Sequence, residues 1–259
     1  MRESEDFRAL ATDWPGFDPA SDKYARGVVG IMTGSARYPG AAVLTVLGAL
    51  NSGAGFVRFA GADAARAAIL ARAPSVTYGE GRVDAWVVGS GWDEADSDGN
   101  RARWERVVAD GVPVVADAGA MPFAADGIPA GSLLTPHAGE LARLLGVGRD
   151  EVVADPGGSA SRAARRFGAT VLLKGHLQFV AGPHGGVRPV PAGRVWLAQA
   201  GSGDVLAGIA GTLLAQTRDA GRAAWLAGAV QAYLSSRYPG PYPPDRVAEM
   251  LPGFIGEFS

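Results

Sequence analysis

"GVVGIMTG", Gly27–Gly34, is a short apolar run with a glycine at each end, and it is the clearest strand signal in the sequence. An apolar run of this length that contains β-branched residues predicts a strand that is buried on both faces. The next segment, "GAAVLTVLGALNSGAG" (Gly40–Gly55), has helical spacing and a terminal glycine, and "FVRFA" follows it as a second strand. A strand, a helix and a strand in this order predict a βαβ unit with parallel strands.

The same alternation continues along the chain. The pattern predicts helices at Asp63–Ala73, "NRARWERVVAD", "SRAARRFG", the run after Asp204, Arg222–Ser236 and Asp245–Leu251. It predicts strands at Asp84–Gly91, Val112–Gly119 and "ATVLLKG", a strand–turn–helix at Ser132–Gly146, and an antiparallel meander of "QFVAG", "GVRPV" and "RVWLA". We therefore expect an α/β fold whose central sheet has about eight or more strands, most of them parallel and covered by helices on both faces.

The amino-acid composition limits the classes of protein to which this chain can belong. The 259 residues suit a single domain over residues 1–259, with residues 1–22 as a flexible N-terminal extension. A net charge of −2 argues against a nucleic-acid or anionic-membrane partner, and the absence of cysteine excludes disulfides and thiolate chemistry. No apolar run approaches the roughly 20 residues of a membrane span, and the charged start lacks a signal peptide's apolar core. We expect a cytoplasmic protein, and a homo-oligomer is compatible with the sequence.

Polar and glycine-rich residues follow the predicted strands, in "TGS", "GSG", "DAG", "TPH" and "KG". Open parallel sheets bind ligands beyond the carboxyl ends of their strands. The sequence therefore predicts a ligand site at this edge. It contains no GxxxxGK[ST] motif, no early strand followed by GxGxxG, and no pair of histidines with i, i+4 spacing, so it lacks the marks of P-loop, Rossmann and zincin sites.

The glycine turn in "AGSGDVLAGIAGTLLAQ" (Ala200–Gln216) places one carboxylate, Asp204, where a helix begins. Asp204 has two interpretations. It caps the helix, as aspartate often does, or it orients and deprotonates a hydroxyl group that attacks a phosphoryl group. Gly201 and Gly203 favour the second interpretation, because glycines before a helix expose backbone N–H groups that bind phosphate.

Two further turns have both a structural and a functional interpretation. In "TPHAGE", His137 and Glu140 form a solvated helix start, or His137 binds a substrate amide or phosphate while Glu140 holds a water or Mg²⁺ near nucleotide phosphates. In "LLKG", Lys174 and Gly175 follow a buried strand, where the lysine either reaches the surface or lies against a nucleotide. Trp92 and Trp196 neighbour the expected crevice, and His184 is assigned no role.

Taken in order, the motifs resemble the ADP/ATP-dependent NAD(P)H-hydrate dehydratases of the ribokinase-like superfamily. The matching pieces are "YPGAAVL…ALNSGAG", "VVGSG", "ADAGA", "TPHAGELARLLG", "LLKG" and "GSGDVLAGIAG", and the similarity runs from Lys23 to about Leu251. The resemblance implies a three-layer α/β/α sandwich and the repair of hydrated nicotinamide cofactors. In that reaction ADP or ATP, with Mg²⁺, phosphorylates the hydroxyl group of (S)-NADH hydrate or (S)-NADPH hydrate, and loss of phosphate restores the double bond.

The resemblance also implies roles for single residues. Asp204 matches the catalytic carboxylate, which also contacts the substrate. Further substrate contacts are implied at Ala41, Gly91 and His137, and adenine-nucleotide contacts at Lys174, Gly175, His176, Leu177, Gln178 and Gly203.

Four positions depart from the family pattern. Arg194-Val195-Trp196 replaces Asn-Pro-Gly, Gln178 replaces a threonine, Ser90 stands in "GSG" where GPG is usual, and Gln231 replaces a histidine. We expect adenine-nucleotide binding to persist with a changed preference between ADP and ATP, and Trp196 to offer a stacking surface to the base.

Two alternatives to the dehydratase remain open. One is a small-molecule kinase of the hydroxyethylthiazole or hydroxymethylpyrimidine type, and the other is a catalytically silent nucleotide-binding relative. Thiazole kinases typically carry cysteine where Asp204 stands and asparagine where His137 stands, which favours the dehydratase. The Arg194-Val195-Trp196 replacement favours the silent relative.

Overall fold

The computed structural model describes residues 5–79 and 81–257 and is built on a nine-stranded sheet in the order β3-β2-β1-β4-β5-β6-β7-β8-β9. The pairs from β3 to β7 are all parallel, whereas β8 and β9 are antiparallel additions. This confirms the predicted α/β fold with a mostly parallel sheet. The strands are β1 Val28–Met32, β2 Phe56–Phe59, β3 Thr77–Tyr78, β4 Ala85–Val88, β5 Val114–Ala116, β6 Leu133–Leu134, β7 Thr170–Leu173, β8 Gln178–Ala181 and β9 Val187–Val190.

Helices cover both faces of the sheet, as expected for a three-layer sandwich. The α-helices are α1 Glu5–Asp13, α2 Pro39–Asn51, α3 Arg66–Arg72, α4 Ser97–Ala109, α5 Met121–Ala124, α6 Ala138–Leu145, α7 Arg149–Ala154, α8 Pro156–Phe167, α9 Ser202–Thr217, α10 Ala220–Arg237 and α11 Pro244–Ile255. Within the described ranges, none of these helices is long and apolar enough to cross a membrane.

The central strands β1, β4 and β5 are apolar throughout because each of them contributes to two cores. In β1, Val29 and Ile31 belong to the core on the side of α2 and α9, whereas Val28 and Met32 belong to the core of the opposite layer. Successive side chains of a strand point to opposite faces. A strand covered on both faces therefore reads as a continuous apolar run, which explains the signal at Gly27–Gly34.

Helices α2 and α9 pack backbone to backbone, and this packing positions the glycine turn. A β-carbon on Gly208 would overlap the carbonyl group of Thr45, and one on Gly48 would overlap the carbonyl group of Val205. Glycine is therefore required at both positions for the two helices to approach this closely. As a result, both helix N-termini lie at the edge where the parallel strands end.

One predicted strand differs from the structure. The segment "RVWLA" does not form a strand, and a 3₁₀ turn at Val195–Leu197 takes its place. β9 is the last strand of the sheet, and its Pro189 fits this position, because proline has no N–H group to donate and is confined to edge strands. The chain leaves the sheet after β9, and the backbone N–H of Arg194 donates a hydrogen bond to Ser235 Oγ on α10 at 3.0 Å.

The expected flexible extension at residues 1–22 contains the helix α1 instead, although residues 1–4 lie outside the described part. Leu10 is fully buried, and Trp14 is nearly so, in the same core cluster as α10. The Arg222 guanidinium donates hydrogen bonds to the Asp13 carbonyl at 3.0 and 2.6 Å. The sequence does not predict this packing, because many residues at the start of the chain are charged.

Candidate active site

The candidate site lies at the carboxyl edge of the parallel strands. Gly91 follows β4, Asp117 follows β5, His137 follows β6 and Lys174 follows β7. His137 and Lys174 form an isolated parallel bridge that extends the pairing of β6 with β7. Because these strands are neighbours in the sheet, their ends bring together residues that are far apart in the sequence.

Asp117 lies at the centre of this edge and is not among the predicted site residues. It is 2% exposed and accepts three hydrogen bonds: Ser90 Oγ donates to Oδ2 at 2.8 Å, while Thr135 Oγ1 and Lys174 Nζ donate to Oδ1 at 2.7 and 2.6 Å. The signal that points to it is a carboxylate directly after a buried strand. A buried charge is stable only when it is paired and hydrogen-bonded, and Asp117 is both.

Lys174, the ion-pair partner of Asp117, and Asp204 both have shifted pKa values. Burial acts to lower the pKa of Lys174, but the carboxylates of Asp117, Glu140 and Asp204 together raise it above its ordinary value, so the ammonium group stays charged. Burial, reinforced by the negative charge of Asp117, raises the pKa of Asp204 to about 7, against the opposing effect of Lys174. A carboxyl group with a pKa near neutrality is suited to take up and release protons.

Asp204 does not cap helix α9, so the capping interpretation is wrong. Gly201 is the N-cap, with a φ of +96°, and Asp204 is the third residue inside the helix. Only glycine adopts this left-handed conformation without strain. At Gly203, a β-carbon would lie 3.3 Å from Lys174 Nζ, so the glycine leaves room between the helix N-terminus and the ammonium group. The first turn of the helix and a cationic side chain therefore lie close together, an arrangement suited to phosphate.

His137 and Glu140 form a capping box at the start of α6. His137 Nδ1 accepts hydrogen bonds from the backbone N–H groups of Gly139 and Glu140, and Glu140 Oε2 accepts one from the His137 backbone at 2.8 Å. Because Nδ1 is an acceptor, the ring proton sits on Nε2. The structural interpretation of this turn therefore holds, while the His137 side chain remains 56% exposed.

A cleft of about 450 Å³ opens beside this edge, between the loop after β7, the 3₁₀ turn and helices α9 and α10. His137, Lys174, His176 and Arg194 line it, and no aspartate or glutamate of the described residues does. A cleft with cationic groups and no carboxylate on its walls is suited to an anionic ligand. Of the predicted nucleotide contacts, Lys174, Gly175, His176, Gln178 and Gly203 line the cleft, whereas Leu177 is exposed outside it.

Gln231, Gln178 and Trp196, which depart from the family pattern, differ in their position relative to the cleft. Gln231 lines it and donates a hydrogen bond from Nε2 to the Ser202 carbonyl at 3.0 Å, which holds the first residue of the glycine turn. The Gln178 Oε1 atom is buried and accepts no hydrogen bond from the described residues. Trp196 does not face the cleft but lies in a separate depression with Tyr238 and Tyr242, so the expectation that it stacks on the base is wrong.

Ala41 and Gly91 lie together on the other side of Asp117. A β-carbon on Gly91 would lie 2.5 Å from the Ala41 β-carbon, at the N-terminus of α2. Neither residue lines the cationic cleft. The predicted substrate and nucleotide contacts therefore occupy adjacent parts of one edge, joined by the Ser90–Asp117–Lys174 hydrogen bonds.

Comparisons with known proteins identify relatives of this chain. The sequence model of the family described as NAD(P)H-hydrate dehydratase matches residues 29–250. The bifunctional NAD(P)H-hydrate repair enzyme Nnr of Mycobacterium tuberculosis is 44% identical over 228 residues, covering 83% of this chain and 46% of that protein. The ADP-dependent (S)-NAD(P)H-hydrate dehydratase of Neisseria meningitidis is 35% identical over 244 residues, covering 86% of this chain and 80% of that one.

A solved structure agrees with the sequence comparisons. The ADP/ATP-dependent NAD(P)H-hydrate dehydratase of Bacillus subtilis, co-crystallised with ATP and Mg²⁺, superposes with a TM-score of 0.87 at 27% identity and 97% coverage of both chains. The chain spans about half the length of the bifunctional relatives it matches. Its sequence and its fold agree on one assignment: the chain belongs to the NAD(P)H-hydrate dehydratase family.

Proposed function

We propose that the protein converts (S)-NADH hydrate or (S)-NADPH hydrate back to the reduced cofactor, using an adenine nucleotide as phosphoryl donor. The observation that carries the proposal is Asp204, a carboxyl group with a pKa of about 7 beside Lys174 and the glycine turn. The relatives named above as dehydratases of the same substrate support it.

The proposed reaction has two steps. Asp204 accepts the proton of the ring hydroxyl group while that oxygen attacks the terminal phosphoryl group, and the bond to the departing AMP or ADP breaks. The carbon–oxygen bond then breaks, phosphate leaves with the bonding electrons, and the neighbouring carbon gives its proton to the departing phosphate as the double bond forms. Ala41, Gly91 and His137 hold the hydrate, while the backbone N–H of Gly203 and the ammonium group of Lys174 stabilise negative charge on the phosphates.

Mg²⁺ fits this site as a partner of the nucleotide. Magnesium is usually held by phosphates, waters and one or two carboxylates, so it needs no dedicated cage of side chains. Glu140 would contact it only through water, because it does not line the cationic cleft and one of its carboxylate oxygens already accepts the His137 N–H. The ion would neutralise phosphate charge during transfer.

A turnover assay tests the proposal and separates it from the alternatives. NADH hydrate is incubated with the protein, Mg²⁺ and either ADP, ATP or no nucleotide, and the return of NADH absorbance is followed. We expect turnover that depends on the nucleotide. Phosphorylation of a hydroxyethylthiazole or hydroxymethylpyrimidine without any return of NADH would establish the kinase instead.

Calorimetry with ADP and ATP at millimolar concentration tests the silent alternative. Heat and saturation with at least one nucleotide are expected, since the cationic cleft persists despite the replaced residues. Binding without turnover of either hydrate would establish the silent nucleotide-binding relative, and absence of both binding and turnover would contradict the proposed function as well. Cytoplasmic location, homo-oligomer formation and the choice between ADP and ATP stay predictions.

A further inference from the structure

A second cavity, of about 580 Å³, lies beside the site and has been assigned no ligand so far. It is bounded by the start of α4, the segment 118–125 and helix α6, and we call it the distal pocket; Trp92, Met121, Phe123, Ala125, Glu140 and Arg143 line it. Its volume falls within the range of small-molecule binding sites. It shares no lining residue with the cationic cleft.

The distal pocket begins where the proposed substrate contacts end. Trp92 follows Gly91 directly in the chain, and Glu140 belongs to the same capping box as His137. Ala118 and Gly119, which follow Asp117, also line the pocket. The distal pocket is lined by residues that follow β4, β5 and β6, whereas the cationic cleft is lined by residues that follow β6 and β7. The two cavities therefore meet at the end of β6, next to each other along the sheet edge.

The walls of the distal pocket suit a nucleoside. Trp92 and Phe123 form an edge-to-face pair with ring centroids 6.2 Å apart. Trp92 is 5% exposed and its Nε1–H donates to the Met32 carbonyl at 2.9 Å, so the apolar surface open to a ligand comes from the half-buried Phe123 and the exposed Pro122. Glu94, Ser97 and Arg143 supply polar groups on the same walls. Aromatic and apolar walls with a few polar groups are what a base with its ribose requires.

We propose that the distal pocket binds the adenosine half of the hydrated dinucleotide, the half that takes no part in the reaction. The inference rests on the proposed function, because only a dinucleotide substrate has such a half. The hydrated ring must lie near Asp204, and the phosphoryl donor occupies the cationic cleft. The rest of the substrate then extends past Gly91 and His137 into the distal pocket.

The experiment compares two substrates, the hydrate of NADH and the hydrate of reduced nicotinamide mononucleotide, which lacks the adenosine half. For the wild-type protein we expect kcat/KM to be roughly 5- to 100-fold lower with the mononucleotide, the effect of losing one stacked base. Ala125→Trp, which fills the pocket from an exposed position, should lower kcat/KM for the dinucleotide by a similar factor. It should leave the mononucleotide hydrate and the KM for ADP unchanged.

Two further variants make the comparison decisive. Ala130→Trp adds the same ring outside the distal pocket and should change neither substrate. Arg143→Gln, on the pocket wall, should lower kcat/KM for the dinucleotide only, and it serves if Ala125→Trp fails to fold.

Equal kcat/KM for the two hydrates, or an equal loss with both in Ala125→Trp, would overturn the inference and leave the proposed function standing. If the wild-type protein turns over neither hydrate, the proposed function fails and takes the inference with it.

Discussion

Asp204 carries the proposed chemistry, and replacing it with asparagine separates catalysis from folding. Asparagine keeps the shape of the side chain but cannot accept the proton of the substrate. Turnover by Asp204→Asn should therefore fall by roughly 10²–10⁴-fold, the usual contribution of a general base. ADP affinity should hold or rise, because a negative charge near the phosphates is gone. Steady-state kinetics and calorimetry check this, and unchanged turnover would mean that another residue is the base.

Asp204→Asn should also stabilise the folded protein, by an amount that depends on pH. The pKa of Asp204 is raised from 3.8 to about 7 in the folded chain. The folded state therefore binds a proton more readily than the unfolded state, and the carboxyl group costs stability as pH rises through this range. The stability advantage of Asp204→Asn should grow between these two pH values and level off above them at up to about 4 kcal/mol. Urea unfolding at several pH values measures it, and a difference that does not vary with pH would refute the shift.

Asp117 affects the proposed reaction through Lys174 and Asp204, and the pH dependence of kcat should show this effect. Asp117→Asn removes a negative charge near Asp204 and frees Lys174 from its partner, and both changes lower the pKa of Asp204. The acid limb of the kcat profile should move to lower pH, and unfolding should cost about 3 kcal/mol less, the effect of breaking a buried ion pair. Ser90→Ala is the matched control, because it removes one hydrogen bond to Asp117 and keeps the charge. A profile that moves equally in both variants would assign Asp117 a merely structural role.

The two glycines at the start of α9, Gly201 and Gly203, have different roles. Gly203 has a helical backbone, so Gly203→Ala should keep or raise the melting temperature. Its new methyl group would lie 3.3 Å from Lys174 Nζ and intrude where phosphate is expected, weakening ADP binding about tenfold, as the loss of one charge-assisted hydrogen bond does.

Gly201→Ala is the opposite case, because φ is +96° there and a β-carbon would lie 2.5 Å from Leu44 Cδ1. The left-handed conformation alone costs a non-glycine residue about 1–2 kcal/mol, so the melting temperature should fall. Thermal unfolding and ADP titration of both variants check the pair. Weaker binding with unchanged melting in Gly201→Ala would contradict the assignment.

At the scale of the whole molecule, the open question is whether α1 unfolds with the rest of the chain. Leu10 is fully buried against the α10 layer, so Leu10→Ala should lower the free energy of unfolding by about 2–5 kcal/mol. Leu70→Ala is the control, since Leu70 is 56% exposed on α3 and should cost no more than about 0.5 kcal/mol. Equal effects of the two substitutions would mean that α1 is not part of the cooperative unit.

The local pattern of the chain was sufficient for the fold class and for the edge that holds the site. Buried strands such as β1 and helices such as α9 have distinct apolar periods, and parallel strands must end at a common edge. The order of short motifs was sufficient for the family. Each of these properties depends on residues that are close together in the sequence, or on their order, and so it can be read without the folded chain.

Tertiary contacts decided the rest. Asp117, Ser90, Thr135 and Lys174 come from four different strand ends, and nothing local marks them as one hydrogen-bonded group. Trp196 shares a depression with Tyr238 and Tyr242 instead of lining the cleft, and Leu10 is buried in a core cluster with α10; in both cases the neighbours are distant in the sequence. The pKa of Asp204 likewise depends on burial and on the charge of Asp117, both of which exist only once the sheet has assembled. Burial and electrostatic coupling are properties of the packed chain, and a one-dimensional pattern does not contain them.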